Sequence, residues 1–144
     1  MQIENVEFAE LERELSKTGV SALDYLAADT GKVYVVAITR EGCPACQKQK
    51  PRLDKLAASF KQNDKGKIVF IRIHVKRPPT SEEESLRSKS VFGHYFYPTN
   101  LILLRTRDRG AFEYYRGVSP TMSDLGRNIK NAVETAAMLE KMRK

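Results

Sequence analysis

The residues best placed to do chemistry are the cysteines. The chain holds only two, and they stand together as Cys43-Pro44-Ala45-Cys46. Two thiols cannot build a disulfide framework. Two residues apart, they form a redox pair that cycles between dithiol and disulfide, or they supply half of a metal site. Tetrahedral zinc needs four ligands. The histidines are His74 and His94, and their spacing fits no zinc-finger pattern. No metal or other cofactor is expected within the chain, although a metal shared between two chains would need only the cysteines. An incidental thiol pair is the bland alternative.

What these thiols can do depends on the elements that hold them. Val33-Tyr34-Val35-Val36-Ala37-Ile38 is a continuous run rich in β-branched residues, the pattern of a buried strand. A helix is predicted to open at Cys43. Steps of three or four from Cys46 reach Lys50, Leu53, Ala57 and Phe60, with Leu56 beside them. That stripe takes Cys46 toward the core and leaves Cys43 outside it, at the helix start. A thiol there meets the positive end of the helix dipole and free N–H groups, which stabilise a thiolate. Lowering a thiol pKa from about 8.5 to about 7 raises the thiolate fraction at pH 7 from about 3% to about 50%. Arg40, Lys48 and Lys50 add positive potential. Pro51 falls inside the helix and is predicted to kink it.

Upstream, Phe8, Leu11, Leu15, Leu23 and Leu26 recur at helical spacing, with Thr18-Gly19 as a helix end. Residues 1–31 are therefore predicted as a helical segment, with residues 33–144 as the core. Downstream, Asn63-Asp64-Lys65-Gly66 reads as a turn and Ile68–Val75 as a second strand. Ser81 is the expected cap of a helix whose first turn holds Glu82, Glu83 and Glu84. Leu86, Val91 and Phe92 are expected on its buried side. Leu101–Arg105 and Ala111–Arg116 form an antiparallel hairpin about Asp108-Arg109-Gly110, with Tyr114 and Tyr115 on opposite faces. Ser119 or Ser123 is expected to cap a last helix carrying Leu125, Ile129, Val133, Ala136, Ala137 and Leu139. The strand–helix–strand step around the cysteines implies a parallel pair with a right-handed crossover, hence an α/β fold with helices on both faces.

Length and charge bound the partners. The 144 residues fit one domain, and 41% hydrophobic with 30% charged residues is ordinary for a globular chain. No apolar run approaches the roughly 18–20 residues of a membrane helix. The start of the chain has neither the basic residues nor the apolar stretch of a secretory leader, so a cytoplasmic protein without a membrane partner is expected. The net charge of +7 is uneven, because residues 1–31 hold seven acids against two bases. The bases elsewhere are scattered and match no nucleic-acid-binding motif, so nucleic acid is not expected as a partner.

A CxxC pair after a buried strand and at the opening of a helix resembles the active site of the thioredoxin superfamily. Pro51, five residues past Cys46, resembles that family's helix-kinking proline. Tyr97-Pro98-Thr99, just before the hairpin, resembles its cis-proline segment, and Gly117 its late glycine. The match runs from Val33 to the C-terminus. The chain departs from thioredoxin itself in having Gly42 where tryptophan precedes the first cysteine, and Pro44-Ala45 between the cysteines. It also has Ala37 in place of a buried aspartate, so a proton-handling group is missing there.

The resemblance implies a single thioredoxin-like domain over residues 1–144, with a central mixed sheet of about four or five strands and helices on both faces. It implies thiol–disulfide exchange with protein substrates carrying disulfides or dithiols. Cys43 would be the nucleophile and Cys46 the less accessible resolving thiol. Gly42, Pro44 and Ala45 surround the site. A cis Pro98 would bar a second donor from the thiolates, and Tyr97, Pro98 and Thr99 would receive an extended substrate. Tyr95, Phe96 and Tyr97 form either an apolar rim for protein substrates or core beneath the loop. An unidentified thiol reductant or oxidant completes the cycle, and a monomer is expected. The non-enzymatic alternative is a thioredoxin-like interaction or redox-sensing module.

Overall fold

The computed structural model describes residues 3–60, 66–77 and 82–142. The expected turn at Asn63-Asp64-Lys65 and the expected cap at Ser81 lie outside the described residues, as does the basic end at Arg143-Lys144. The elements run β1 (Ile3–Glu7), α1 (Phe8–Thr18), α2 (Ala22–Leu26), β2 (Val33–Arg40), α3 (Pro44–Ser59), β3 (Ile68–Val75), α4 (Glu83–Phe92), β4 (Thr99–Thr106), β5 (Gly110–Val118) and α5 (Met122–Lys141).

They form a five-stranded sheet in the order β1-β3-β2-β4-β5. β2 lies at its centre, parallel to β3 and antiparallel to β4. Its β-branched run suits that place, since a central strand must pack on both faces. Val33, Val36, Ala37 and Ile38 are fully buried. On one face Val33, Val35, Ile68, Phe70, Ile102 and Leu104 pack with Leu53 and Ala57 of α3 and with Leu125 and Ile129 of α5. On the other, Tyr34, Val36, Ile38, Ile71, Ile73, Leu101 and Leu103 pack with Phe8 and Leu11 of α1, Leu26 of α2 and Phe92 of α4.

Four expectations for β1 and the helices change. The N-terminal segment is not helical throughout, because Ile3–Glu7 forms an edge strand parallel to β3. Ile-Glu-Asn-Val-Glu buries only Ile3, so it lacks the apolar alternation that marks a strand. On α4 the buried residues are Ser85, Ser88 and Phe92, whereas Leu86 and Val91 face solvent. α4 packs on polar partners, described below, and two serines serve there better than leucine. On α3 it is Gln49 rather than Lys50 that joins Cys46, Leu53 and Ala57 in the buried stripe. A neutral amide can bond within the core, while an ammonium would lose its hydration. Finally, Thr121 caps α5 by accepting from the Asp124 amide, in place of either serine.

The two tyrosines of β5 do not divide between faces. Tyr115 pairs with Ile102 and Glu113 with Leu103, so a register irregularity leaves Tyr114 unmatched. Such a bulge breaks the alternation of a strand, and Tyr114 and Tyr115 both pack against the α3–α5 core. Gly110, at φ 85°, provides the left-handed residue of the hairpin turn.

Phe8 is fully buried and meets the Phe92 ring edge-on, locking α1 to α4 across the sheet face. Phe8→Ala should lower the unfolding free energy by about 3–5 kcal/mol, measured by urea denaturation. A loss below about 1 kcal/mol would mean that this face repacks freely.

Candidate active site

Three short pieces of chain meet at the C-terminal end of β2. Gly42, at φ 73°, turns the chain out of the strand in a conformation that favours glycine. Cys43 then takes the N-cap position of α3 in extended backbone, and Pro44 occupies the first turn, where its missing N–H costs nothing. The helix geometry aims Cys43 and Cys46 inward and leaves Pro44 and Ala45 exposed. The cysteines are joined as a disulfide, with Cα atoms 5.2 Å apart. The Cys46 amide donates to Cys43 Sγ at 3.2 Å. In the dithiol state that amide and the helix dipole would favour negative charge on Cys43. Pro51 stands inside α3, which is assigned as one continuous helix.

The third piece is the segment before β4. The Tyr97–Pro98 peptide bond is cis, and the Tyr97 carbonyl oxygen lies 3.8 Å from Cys43 Sγ. Pro98 is buried, and its carbonyl accepts from the Ser119 amide at 3.0 Å. Thr99 is 1% exposed. Its backbone faces β2 on one side and β5 on the other, and its hydroxyl donates to the Phe96 carbonyl at 2.7 Å. Thr99 therefore holds the segment from within, and Tyr97 is the member whose carbonyl meets the cysteines. Tyr95 and Phe96 are 80% and 64% exposed, so they are not core beneath the loop.

The expected contrast in accessibility is absent from the oxidised pair. Cys43 is 5% exposed and Cys46 7%. The cis-proline segment lies over Cys43, while Cys46 borders an open cavity on its other side.

Apolar periodicity does not point to what supports this segment. The Tyr97 hydroxyl bonds Ser85 of α4 at 2.9 Å, and the Tyr97 ring meets the His94 ring edge-on at 4.8 Å. His94 Nε2 bonds the Ser88 hydroxyl at 2.8 Å. Arg40 and Lys89 place their cations 5.3 and 5.9 Å from the Tyr97 ring centroid. The serines that replace apolar residues on α4 thus hold the ring preceding Pro98. A Ser-x-x-Ser spacing ahead of His-x-x-Tyr is the signal that could have revealed it.

Beneath the site a polar row crosses the sheet. Asn5, Arg72, Ala37 and Asn100 are register neighbours on successive strands. Arg72 is 7% exposed and donates to Asn5 Oδ1, to the Lys50 carbonyl and to Asp54 Oδ1 at 3.3, 3.5 and 3.2 Å. Gln49 donates to Asn100 Oδ1 at 2.7 Å. Among the described residues no three His, Cys, Asp or Glu side chains converge as a metal site would require. Nor is any helix among them long and apolar enough to cross a membrane.

No protein-family model and no curated protein matches the chain. Solved structures do. A thioredoxin h from Nicotiana alata superposes with TM-score 0.59 at 17% identity, covering 91% of this chain and 94% of its own. Spinach chloroplast thioredoxin f, in its long form, superposes with TM-score 0.58 at 16% identity, covering 91% and 86%. Thioredoxin f2, seen in complex with ferredoxin:thioredoxin reductase, gives 0.57 at 16%, covering 91% and 94%. The chain therefore has the thioredoxin fold, with a CxxC disulfide at the position its motifs implied.

Burial pushes the His94 pKa down to about 4, against an opposing contact with the Phe96 backbone. In the unfolded chain it titrates near 6.5, so between these values the unfolded state binds more protons. The contribution of neutral His94 is complete above about pH 6.5 and is lost as pH falls toward about 4. Its size is on the order of 3 kcal/mol. Denaturant titrations across this window should show that dependence, and His94→Gln should flatten it. An unchanged slope in the variant would show that His94 is not the titrating group.

Proposed function

We propose that the protein is a thiol–disulfide oxidoreductase acting on protein substrates. The observation carrying this reading is a CxxC disulfide at a helix N-terminus, with one sulfur 3.8 Å from the carbonyl oxygen that precedes a cis-proline. Cys43 receives the helix-end amide and is the nucleophile. Its thiolate attacks a substrate disulfide, and Cys46 then displaces the reduced substrate from the mixed disulfide, closing the intrachain bond. The reverse sequence oxidises a substrate dithiol. The pair carries both electrons, so the exchange itself calls for no further cofactor.

The substrate strand would pair with the backbone at Tyr97, beside Pro98, with Thr99 fixing that backbone from behind. Gly42, Pro44 and Ala45 form the exposed shoulder on the cysteine side, and Tyr95 and Phe96 an apolar rim opposite. Closely placed exposed aromatics favour a polypeptide partner over a small thiol. The second partner is a thiol-based reductant or oxidant. The structural neighbour thioredoxin f2 is seen in complex with ferredoxin:thioredoxin reductase, and a reductase would fill this role here. A cytoplasmic setting belongs to the same proposal. We take residues 1–144 as a single working unit.

Dithiothreitol-driven reduction of insulin tests the reading. The wild type should accelerate it, Cys43→Ser should abolish the acceleration, and Cys46→Ser should accumulate mixed disulfides visible by mass spectrometry. Wild-type activity no greater than that of Cys43→Ser would overturn the enzyme reading in favour of an interaction or redox-sensing module.

A further inference from the structure

Behind Cys46 lies a cavity of about 460 Å³. Cys46, Gln47 and Lys50 of α3 line one side, and Glu7, Thr39, Arg72 and His74 line the sheet side. Glu7, His74 and Thr39 are register neighbours on β1, β3 and β2, one row above the Asn5–Arg72–Ala37–Asn100 row. Glu7 Oε2 is buried without a hydrogen-bond partner. A buried carboxylate oxygen in that condition costs free energy unless it meets a water or a proton.

Resting on the oxidoreductase reading, we propose that Glu7 is the proton acceptor for Cys46. Ala37, on β2 beneath the cysteines, is fully buried and carries no ionisable group. The cavity brings a carboxylate from the edge strand β1 to the wall opposite Cys46, with room for the water that links it to the thiol. When Cys43 holds a substrate in mixed disulfide, the Cys46 thiol gives its proton through water to the Glu7 carboxylate. The Cys46 thiolate attacks Cys43 Sγ, the bond from Cys43 to the substrate sulfur breaks, and the substrate leaves as thiolate. Glu7 returns its proton to that thiolate through solvent, so no proton or electron is gained or lost.

The other charged groups at the cavity are Arg72 and His74 from β3, Arg40 and Glu41 at the end of β2, and Lys50 from α3. Arg72 is engaged by Asn5 and Asp54, and Glu41 Oε1 accepts from the Arg77 amide. His74 could also take a proton, but none of its atoms is both buried and unpartnered. Among the described residues Glu7 has the one carboxylate oxygen in that state at this cavity.

The test uses the reduced full-length protein and 5,5′-dithiobis(2-nitrobenzoate) in stopped flow. The first burst of coloured thiolate reports Cys43 attack, and the second reports Cys46 attack on the mixed disulfide. Glu7→Gln should slow the second phase on the order of 100-fold and leave the first within about twofold, with Glu7→Asp between. Wild-type protein should lose second-phase rate as acid protonates the acceptor, a limb that Glu7→Gln removes and His74→Gln keeps. A second phase in Glu7→Gln that matches wild type from about pH 5 to about pH 9 overturns the proposal. So does transfer of the acid limb to His74→Gln. Should Glu7→Gln fail to fold, the wild-type protein decides: a second phase without an acid limb, or one no slower in heavy water, overturns the proposal. The probe needs no protein substrate, so failure in insulin reduction and failure here are separate results.

Discussion

The site depends on holding one sulfur between two groups that belong to distant parts of the chain. Cys43 Sγ takes the Cys46 amide from its own helix and lies 3.8 Å from the Tyr97 carbonyl, 54 residues away. The first interaction is local and follows from placing a cysteine at an N-cap. The second requires that β2 and β4 pair in one register. Ile38 lies opposite Thr99 and Ala37 opposite Asn100, which brings Pro98 to the end of β2 just where Gly42 turns the chain into α3. A slip of one residue would send each side chain of β4 to the opposite face. Leu101 and Leu103 would exchange cores with Ile102 and Leu104, and hydrophobic burial on both faces prevents that.

The two faces serve the site differently. On the α3–α5 face, polar residues stand among the apolar ones beneath the helix: Gln49 on Asn100, and Arg72 on Asn5 and Asp54. These directional contacts hold the start of α3 in place, which burial alone does not do. On the other face α4 replaces apolar anchors with Ser85 and Ser88, so its contacts with Tyr97 and His94 depend on hydrogen-bond geometry. Leaving Leu86 and Val91 in solvent is the cost of facing a polar partner. Arg116 adds a tie from β5 to the end of α4, through the carbonyls of Phe92 and Gly93.

The parts legible in the sequence are those written in nearest-neighbour chemistry. β2, β3, the hairpin and the last helix announce themselves by apolar periodicity, and Cys43-Pro44-Ala45-Cys46 by spacing. β1 escaped because a short edge strand with one buried residue follows no period, and its residues sit beside a strong helical pattern. The buried serines of α4 escaped because amphipathicity assigns apolar residues to the inner face, and the partners that overrule it lie in a loop later in sequence. The bulge at Tyr114 leaves the residue types unchanged, so strict alternation misplaced one ring. The depth of Cys43 was illegible for a similar reason, since what covers it arrives 54 residues later.

Among the described residues β1 closes one border of the sheet and pairs with β3 alone. An uncovered strand invites a neighbour of the same kind to add to it. Here the border reads Ile3-Glu4-Asn5-Val6-Glu7, and Glu10 and Glu14 of the adjoining helix stand beside Glu4. A second copy approaching border to border would set carboxylate against carboxylate. A short strand rich in negative charge thus ends the sheet while guarding it against growth by aggregation.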